Sequence, residues 1–499
     1  MLRSIKTICV GGLVAMTMVS CELEQEVLTG VTQERLINEA PPELAEVLKQ
    51  SAYSRLMGDG SWGGHGGLYS YQEITSDEMA IPVKGGDWND GGLWVRAHRH
   101  TWSIDDTELN GVWDIPFRVI AETNSLLQQY PDIEELAAEM RVLRAFCYLV
   151  LLDNFGGGVP LVIETTTDPN PPSSSREELF NFIESSVLEN VDILTRENRR
   201  INFNFWSAHM ILAKLYMNAE VYIGQPKWTE ANAVLDVIIN EGPYSLAPNY
   251  FANFATANAN SVENMFTLPY DANNAGGFNI HHMALHYESQ KTFDLVDQPW
   301  NGYAALEDFY NSYDDADLRK ENFRVGLQFE LDGVTPLRDD AGFDGDPDGV
   351  EVNFTPQINE LAPNAFRQAG ARVNKFEIAI GAQPDLNNDF PVFRYADAIL
   401  LKAEVLLRQG NAAGGLEYVN QVRDRVNVPL YTELTMDNLL AERGRELFAE
   451  GWRRSDLIRF NRFGAPWWEK PSSPETRRVF PIPLNKIQAN VRLTQNPGY

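Results

Sequence analysis

Cysteine is scarce in this chain of 499 residues: there are three, too few to build a disulfide framework. Cys9 lies in the leader, and Cys147 falls in an apolar helical pattern where a small buried hydrophobe is expected. Basic residues are also few, with 41 Lys and Arg against 70 Asp and Glu for a net charge of −29. No basic stripe is available to displace counterions from phosphates, which excludes nucleic acid as a partner. A neutral ligand suits such a chain better than a strongly anionic one. Beyond the first twenty residues no apolar run is long enough to cross a bilayer. There is no His-Glu-x-x-His, no nucleophile motif and no phosphate loop. Gly58-Asp59-Gly60-Ser61-Trp62-Gly63 has the form GxGxxG, but no strand is expected before it and no helix at it, so nucleotide binding is rejected. What is abundant is core-forming material, 44% hydrophobic and 11% aromatic.

Arg3 and Lys6 precede an apolar run from Ile8 to Val19, the pattern of a signal peptide over residues 1–20. Met18-Val19-Ser20-Cys21 resembles a bacterial lipobox, which makes Cys21 the expected lipidation site and lipid the expected membrane anchor. Residues 21–40 read as a tether. Glu22, Glu24 and Glu26 resemble the surface-export signal of Bacteroidetes lipoproteins.

Helical spacing dominates much of the remainder. Helices are expected at about 42–57, 106–129, 133–154, 206–223 and 228–241, with Ser175 and Glu178 as a capping box for another. Phe393, Ala396, Leu400, Ala403 and Leu407 share one helical face. Gly410 and Asn411 punctuate it, a second helix carries Leu416, Val419, Val422 and Val426, and a third runs from about Thr435 to Glu450. Small residues at Ala396 and Ala403 invite a neighbouring helix close. Hairpins of about 34 residues match tetratricopeptide-like repeats. The expected fold is therefore mostly α: a helical-repeat scaffold over about 106–241 and 391–460. A long irregular, loop-rich insertion from about 243 to 390 interrupts it, and further loops span about 58–104. An insertion of that length must be folded rather than structureless.

Arg394-Tyr395-Ala396-Asp397, Lys402-Ala403-Glu404, Asn420-Gln421-Val422-Arg423-Asp424-Arg425 and Glu442-Arg443-Gly444-Arg445-Glu446-Leu447 resemble the SusD/RagB family. So do Glu450-Gly451-Trp452-Arg453, Asp456-Leu457-Ile458-Arg459 and the ending Gln495-Asn496-Pro497-Gly498-Tyr499. The resemblance covers nearly all of residues 41–499. It implies an outer-membrane lipoprotein, exposed to the cell exterior, that captures nutrients for a TonB-dependent, SusC-like transporter. It also implies helical repeats as scaffold, with loops building the ligand face. The charged residues of these motifs are expected to pair along helix surfaces, Arg453 with Asp456 and Asp456 with Arg459.

Sugars offer faces of C–H groups to aromatic rings and hydroxyl edges to amides and carboxylates. Two loop stretches hold both kinds of partner. Asp87, Trp88, Asn89, Asp90 and Trp94 follow Trp62 and His65 in the first, and Tyr287, Trp300, Asn301 and Tyr303 mark the second. Trp102, Trp113 and Trp206 lie on helical patterns and are expected in the core. Asp344-Gly345-Asp346-Pro347-Asp348-Gly349 has the D-x-D-x-D-G form of a calcium loop, with Glu351 as a substitute for the missing twelfth-position glutamate. A structural calcium there and a solvated acidic turn are both open. His281, His282 and His286 lack the further ligands that zinc requires.

The reading is a non-enzymatic surface receptor that binds an oligo- or polysaccharide and needs no cofactor. A peptide receptor of the same transport system is the alternative. A glycosidase with two carboxylates astride the bond is a third.

Overall fold

The computed structural model describes residues 42–499; the leader, the tether and Cys21 lie outside them. Apolar periodicity becomes a series of packed helices: α1 (Pro42–Tyr53), α2 (Gly67–Ile74), α3 (Leu93–His98), α4 (Leu109–Gln129), α5 (Glu134–Phe155), α6 (Arg176–Leu188), α7 (Phe205–Met217), α8 (Trp228–Glu241), α9 (Tyr395–Arg408), α10 (Ala412–Arg425), α11 (Met436–Leu447) and α12 (Arg453–Arg459). Neighbours in sequence are neighbours in space, α4 on α5, α5 on α6, α7 on α8 and α9 on α10. The expected capping box at Ser175 and Glu178 starts α6. Among the described residues no helix is long and apolar enough to cross a membrane.

The two helical blocks, separated by the insertion in sequence, join because α8 packs against α9. A short ladder closes the base of the insertion and makes this possible. Strand β1 (Asn264–Pro269) runs antiparallel to β2 (Asp389–Arg394), with Leu268 opposite Phe390 and register shifts near Phe266. Phe393 therefore lies in a strand instead of opening the helix, and its ring joins Phe146, Phe203 and Phe266 in a buried aromatic cluster. Gly415 supplies the close approach to α9: a Cβ there would lie 2.7 Å from the Ala403 carbonyl oxygen.

Helix α2 was not legible as a helix. Every residue in it is buried, including Ser70, Gln72 and Glu73, so it shows no polar face and no amphipathic period. Its Gly67 backbone touches α4, where a Cβ on Gly111 would come within 2.7 Å of the Gly67 Cα. Gly67 and Gly111 thus serve helix packing.

The charges of the C-terminal motifs are buried, a correction to the surface pairing expected of them. Arg394 pairs with Glu263 (2.5 Å), Glu446 (3.0 Å) and Glu450 (2.6 Å), all fully or almost fully buried. Arg425 reaches Glu263 and Glu446, while Arg319 reaches Asp317, Glu442 and Glu446. Arg459 does bind Asp456 at 2.7 Å, but Arg453 turns instead to Asp77 at 2.7 Å. Dense cross-pairing is what keeps this many charges tolerable in the interior. Trp102, Trp113 and Trp206 are core residues, and burial pushes the Cys147 thiol up.

Candidate ligand-binding cleft

The loops around 58–104 and 287–303 are separate candidates in sequence, and backbone pairing brings them together. Met79–Ala80 pairs antiparallel with Ala304–Ala305. The Asn279 amide donates to the Gly63 carbonyl at 3.2 Å, and Asn279 Oδ1 accepts from the His65 backbone N–H at 2.9 Å. Residues 300–303 are fixed from below: the amides of Trp300 and Gly302 donate to the carbonyls of His282 (2.7 Å) and Met283 (2.8 Å).

Between these segments lies an open cleft of about 450 Å³, with His65, Asp87, Trp88 and Asp90 on one side and Tyr287, Gln298, Pro299 and Trp300 on the other. Trp300 is half-buried, leaving part of its ring to the cleft. The indole of Trp88 packs over Gly302, where a Cβ would meet Trp88 Cζ2 at 2.4 Å, and its Nε1 donates to the Trp300 carbonyl at 2.7 Å. Trp88, Asp90 and Asn301 all have positive φ, at 60°, 39° and 57°. For a residue as bulky as Trp this backbone costs about 1–2 kcal/mol. Residues that sit at a ligand-facing edge despite such strain are held there by their surroundings. Here the holding contacts are the Asp87 carboxylate on the Trp88 amide (3.1 Å) and the indole bond to Trp300.

His65 stands at the centre of the aromatic wall. Its ring meets Trp88, Trp94, Trp300 and Tyr303 at centroid distances of 5.1, 5.2, 5.8 and 5.9 Å. Burial lowers its pKa to about 4 against the opposing pull of Asp90, so the imidazole is neutral near pH 7. The Tyr303 hydroxyl bonds His65 Nδ1 at 3.0 Å and Ser70 Oγ at 2.5 Å, which pins the ring. Tyr287 donates its hydroxyl to Asp87, spanning the cleft, and Trp94 Nε1 donates to Asp90 at 2.7 Å. Beneath the floor, Lys84 donates to the Gly302 carbonyl at 3.4 Å, and burial drives its pKa well below that of an ordinary lysine. Among the described residues no Lys or Arg side chain lines the cleft, and His65 there is neutral. The result is an aromatic platform edged by hydroxyl, amide and carboxylate groups, suited to a neutral polyhydroxylated ligand.

Of the candidates read from the sequence, His65, Asp87, Trp88, Asp90, Tyr287 and Trp300 converge on this cleft. Asn89 is exposed beside it. Trp94, Asn301 and Tyr303 lie under it, fully or nearly fully buried, and act as its support. Trp62 lies away from it, stacked on Phe146 at 5.6 Å in the core, because α5 passes directly behind. Gln298 and Pro299 join the wall through their neighbour Trp300. Asn279, which accepts from the His65 backbone N–H, and Ser70, which bonds the Tyr303 hydroxyl, carried no signal in the sequence.

The acidic loop is arranged around an arginine. Asp346 accepts from Arg367 Nη2 (2.7 Å) and Asp348 from the Arg367 backbone N–H (2.6 Å), while Asp339 binds Arg367 Nε (2.5 Å). Asp344 and Glu351 are exposed. Among the described residues no group of three or more His, Cys, Asp or Glu side chains is arranged to hold a metal ion. Of the four carboxylates read as calcium ligands, Asp346 meets the guanidinium and Asp348 the backbone N–H of the same arginine, while Asp344 and Glu351 point to neither. His281, His282 and His286 are buried, and His286 faces Asp339 at 3.6 Å.

Residues 263–474 match the sequence model of the SusD family. The starch-binding protein SusD of Bacteroides thetaiotaomicron is 26% identical over 504 residues, covering 88% of this chain and 87% of its own. A solved SusD superfamily protein from Parabacteroides distasonis superposes with a TM-score of 0.74 at 20% identity, over 92% of this chain and 99% of that one. Surface glycan-binding protein A from Bacteroides thetaiotaomicron, solved in complex with laminarihexaose, gives a TM-score of 0.71 at 20% identity, over 91% and 99% of the two chains. The fold and the family resemblance read from the sequence are both borne out.

Proposed function

Because this is a SusD-like chain whose relatives are glycan-binding proteins, we propose that it binds oligo- or polysaccharide at the cell surface and passes it to a SusC-like, TonB-dependent transporter. The observation that carries this reading is the cleft in which Trp88, Trp300, Tyr287 and His65 meet around Asp87 and Asp90. The named relatives bind starch and laminarihexaose, both carbohydrates without charged groups. A peptide ligand would call for an exposed strand edge or a row of backbone donors, and this wall presents aromatic faces instead.

Catalysis finds no support in the geometry. A glycosidase sets two carboxyl groups on opposite sides of the scissile bond. Asp87 and Asp90 come from one turn of chain, and the facing wall is Gln298, Pro299 and Trp300. Aromatic stacking and hydrogen bonding need no cofactor.

The test is retention of the full-length protein on a panel of plant, algal and microbial polysaccharides, with peptides as controls. Retention by one neutral glycan is expected, and retention by peptides alone would remove the carbohydrate reading.

We further propose that lipid on Cys21 anchors the protein in the outer membrane, facing outward. Cys21→Ala is expected to move the protein into the soluble fraction in cells lacking the transporter, with its unfolding curve unchanged. A variant still bound to membranes there would overturn the anchor.

A further inference from the structure

A second cleft, sharing no lining residue with the first, has about 530 Å³ of open space between the segments 249–255, 321–324 and 374–378 of the insertion. Phe251, Phe293 and Phe376 line it together with Arg324, Asn249 and Asn374. Among the described residues Arg324 shares the lack of a carboxylate partner with the more deeply buried Arg372, but Arg372 donates to the carbonyls of Tyr303 and Arg367. Arg319, Arg394 and Arg425 each meet two or more carboxylates, but among the described residues Arg324 has no ion pair. Its Nε is cut off from solvent with no acceptor, and its guanidinium lies 4.6 Å from the Phe293 ring centroid. The neighbouring Lys375 is already committed to Glu450 at 2.5 Å. Arg324 lines the cleft and, among the described residues, meets neither a carboxylate nor a carbonyl, which leaves its guanidinium free to receive an anion there.

The surroundings narrow the class of that anion. Phe251 is half-buried and offers a ring face to C–H groups. Asn249 Oδ1 accepts from the Phe251 amide and Asn374 Nδ2 donates to the Glu321 carbonyl. This leaves one amide's donors and the other's acceptor for hydroxyl groups. Glu321 and Glu377 also line the cleft and are exposed, so several negative charges at once would be repelled. We propose that this cleft is a second ligand site that takes one carboxylate carried on a sugar ring, a single uronosyl residue, with Arg324 as the carboxylate partner and Phe251 under the ring. It goes beyond the neutral-glycan reading of the first cleft and does not depend on it.

The probe is methyl β-D-glucuronide, titrated into full-length protein and followed by saturation-transfer NMR, beside methyl β-D-glucoside and N-acetylphenylalanine. Saturable glucuronide binding is expected, weakened about tenfold or more in Arg324→Gln through loss of a charge-assisted bidentate contact. Phe251→Ala is expected to weaken it as well, and Trp300→Ala to leave it unchanged. Arg324 makes no ion pair, so Arg324→Gln is expected to unfold at the native temperature. The proposal is overturned by absent saturation, or by glucuronide binding that survives both Arg324→Gln and Phe251→Ala. Loss only in Trp300→Ala would place the probe in the first cleft and also overturn it. N-acetylphenylalanine binding in place of the glucuronide would assign the cleft to peptide carboxylates and end the sugar reading.

Discussion

Arg394→Ala is expected to destabilise the fold by about 3–5 kcal/mol, the cost of stranding buried charges by removing one partner. Arg394 is the hub of the interior network, bound to Glu263, Glu446 and Glu450 where β2 meets α11. Without it, three carboxylates compete for Arg425, Arg319 and Lys375. The network also sets the response to acid. Burial alone would raise the Glu442 carboxyl, but Arg319, Arg445 and Arg423 outweigh it and hold it at about 2. Glu446 is likewise pushed up by burial and pulled further down by Arg425, Arg394 and Arg319. Both folded pKa values lie below the ordinary 4.5. Their contribution is therefore complete above that value and is lost as pH falls toward 2. Urea denaturation at pH 7 and at pH 3.5 checks both points. The native protein should weaken on acidification, and Arg394→Ala should be weak already at pH 7. A variant within about 1 kcal/mol of the native protein at pH 7 would mean that the remaining cations absorb the loss.

Gly302→Val is expected to abolish the first cleft while the scaffold stays folded. A Cβ at this position lies within 2.8 Å of three atoms of the Trp88 indole, so the ring must leave its seat over the backbone. Its bond to the Trp300 carbonyl goes with it. Overpacking of this kind costs about 1–3 kcal/mol of stability. Loss of the Trp88 anchor costs about 2 kcal/mol of binding, hence about thirtyfold in affinity. Isothermal titration with the glycan retained in the panel, together with a thermal melt, separates the two effects. Native affinity in Gly302→Val would show that Trp88 takes no part in the site.

Much of the fold was legible because long helices announce themselves by period and punctuation. Trp228–Glu241 coincides with its expected bounds, and α4, α5 and α9 fall within a few residues of theirs. Helix α2 was hidden because a fully buried helix has no polar face to contrast. The destination of the charged motifs was hidden too, since i,i+3 spacing looks the same on a surface and inside a network in which Arg425 pairs with Glu263 across 162 residues. At the site, composition was enough to nominate Trp88 and Trp300, which stand among Gly, Asn and Pro. It did not separate Trp62, which stands in the same Gly-rich stretch but faces α5. The depth order of the cleft, with Trp94, Asn301 and Tyr303 under Trp88 and Trp300, depends on the pairing of Met79–Ala80 with Ala304–Ala305, a long-range contact of two residues that no local pattern marks.

The central claim is that a neutral glycan lies on Trp300 between His65 and Tyr287. The most direct measurement is the affinity of the retained glycan for native protein, Trp300→Ala and Trp467→Ala, the last removing a half-buried tryptophan outside the cleft. Removal of the Trp300 ring is expected to weaken binding by about tenfold to a hundredfold, with Trp467→Ala at the native value. Equal affinity in the native protein and Trp300→Ala would contradict the assignment of this cleft as the glycan site.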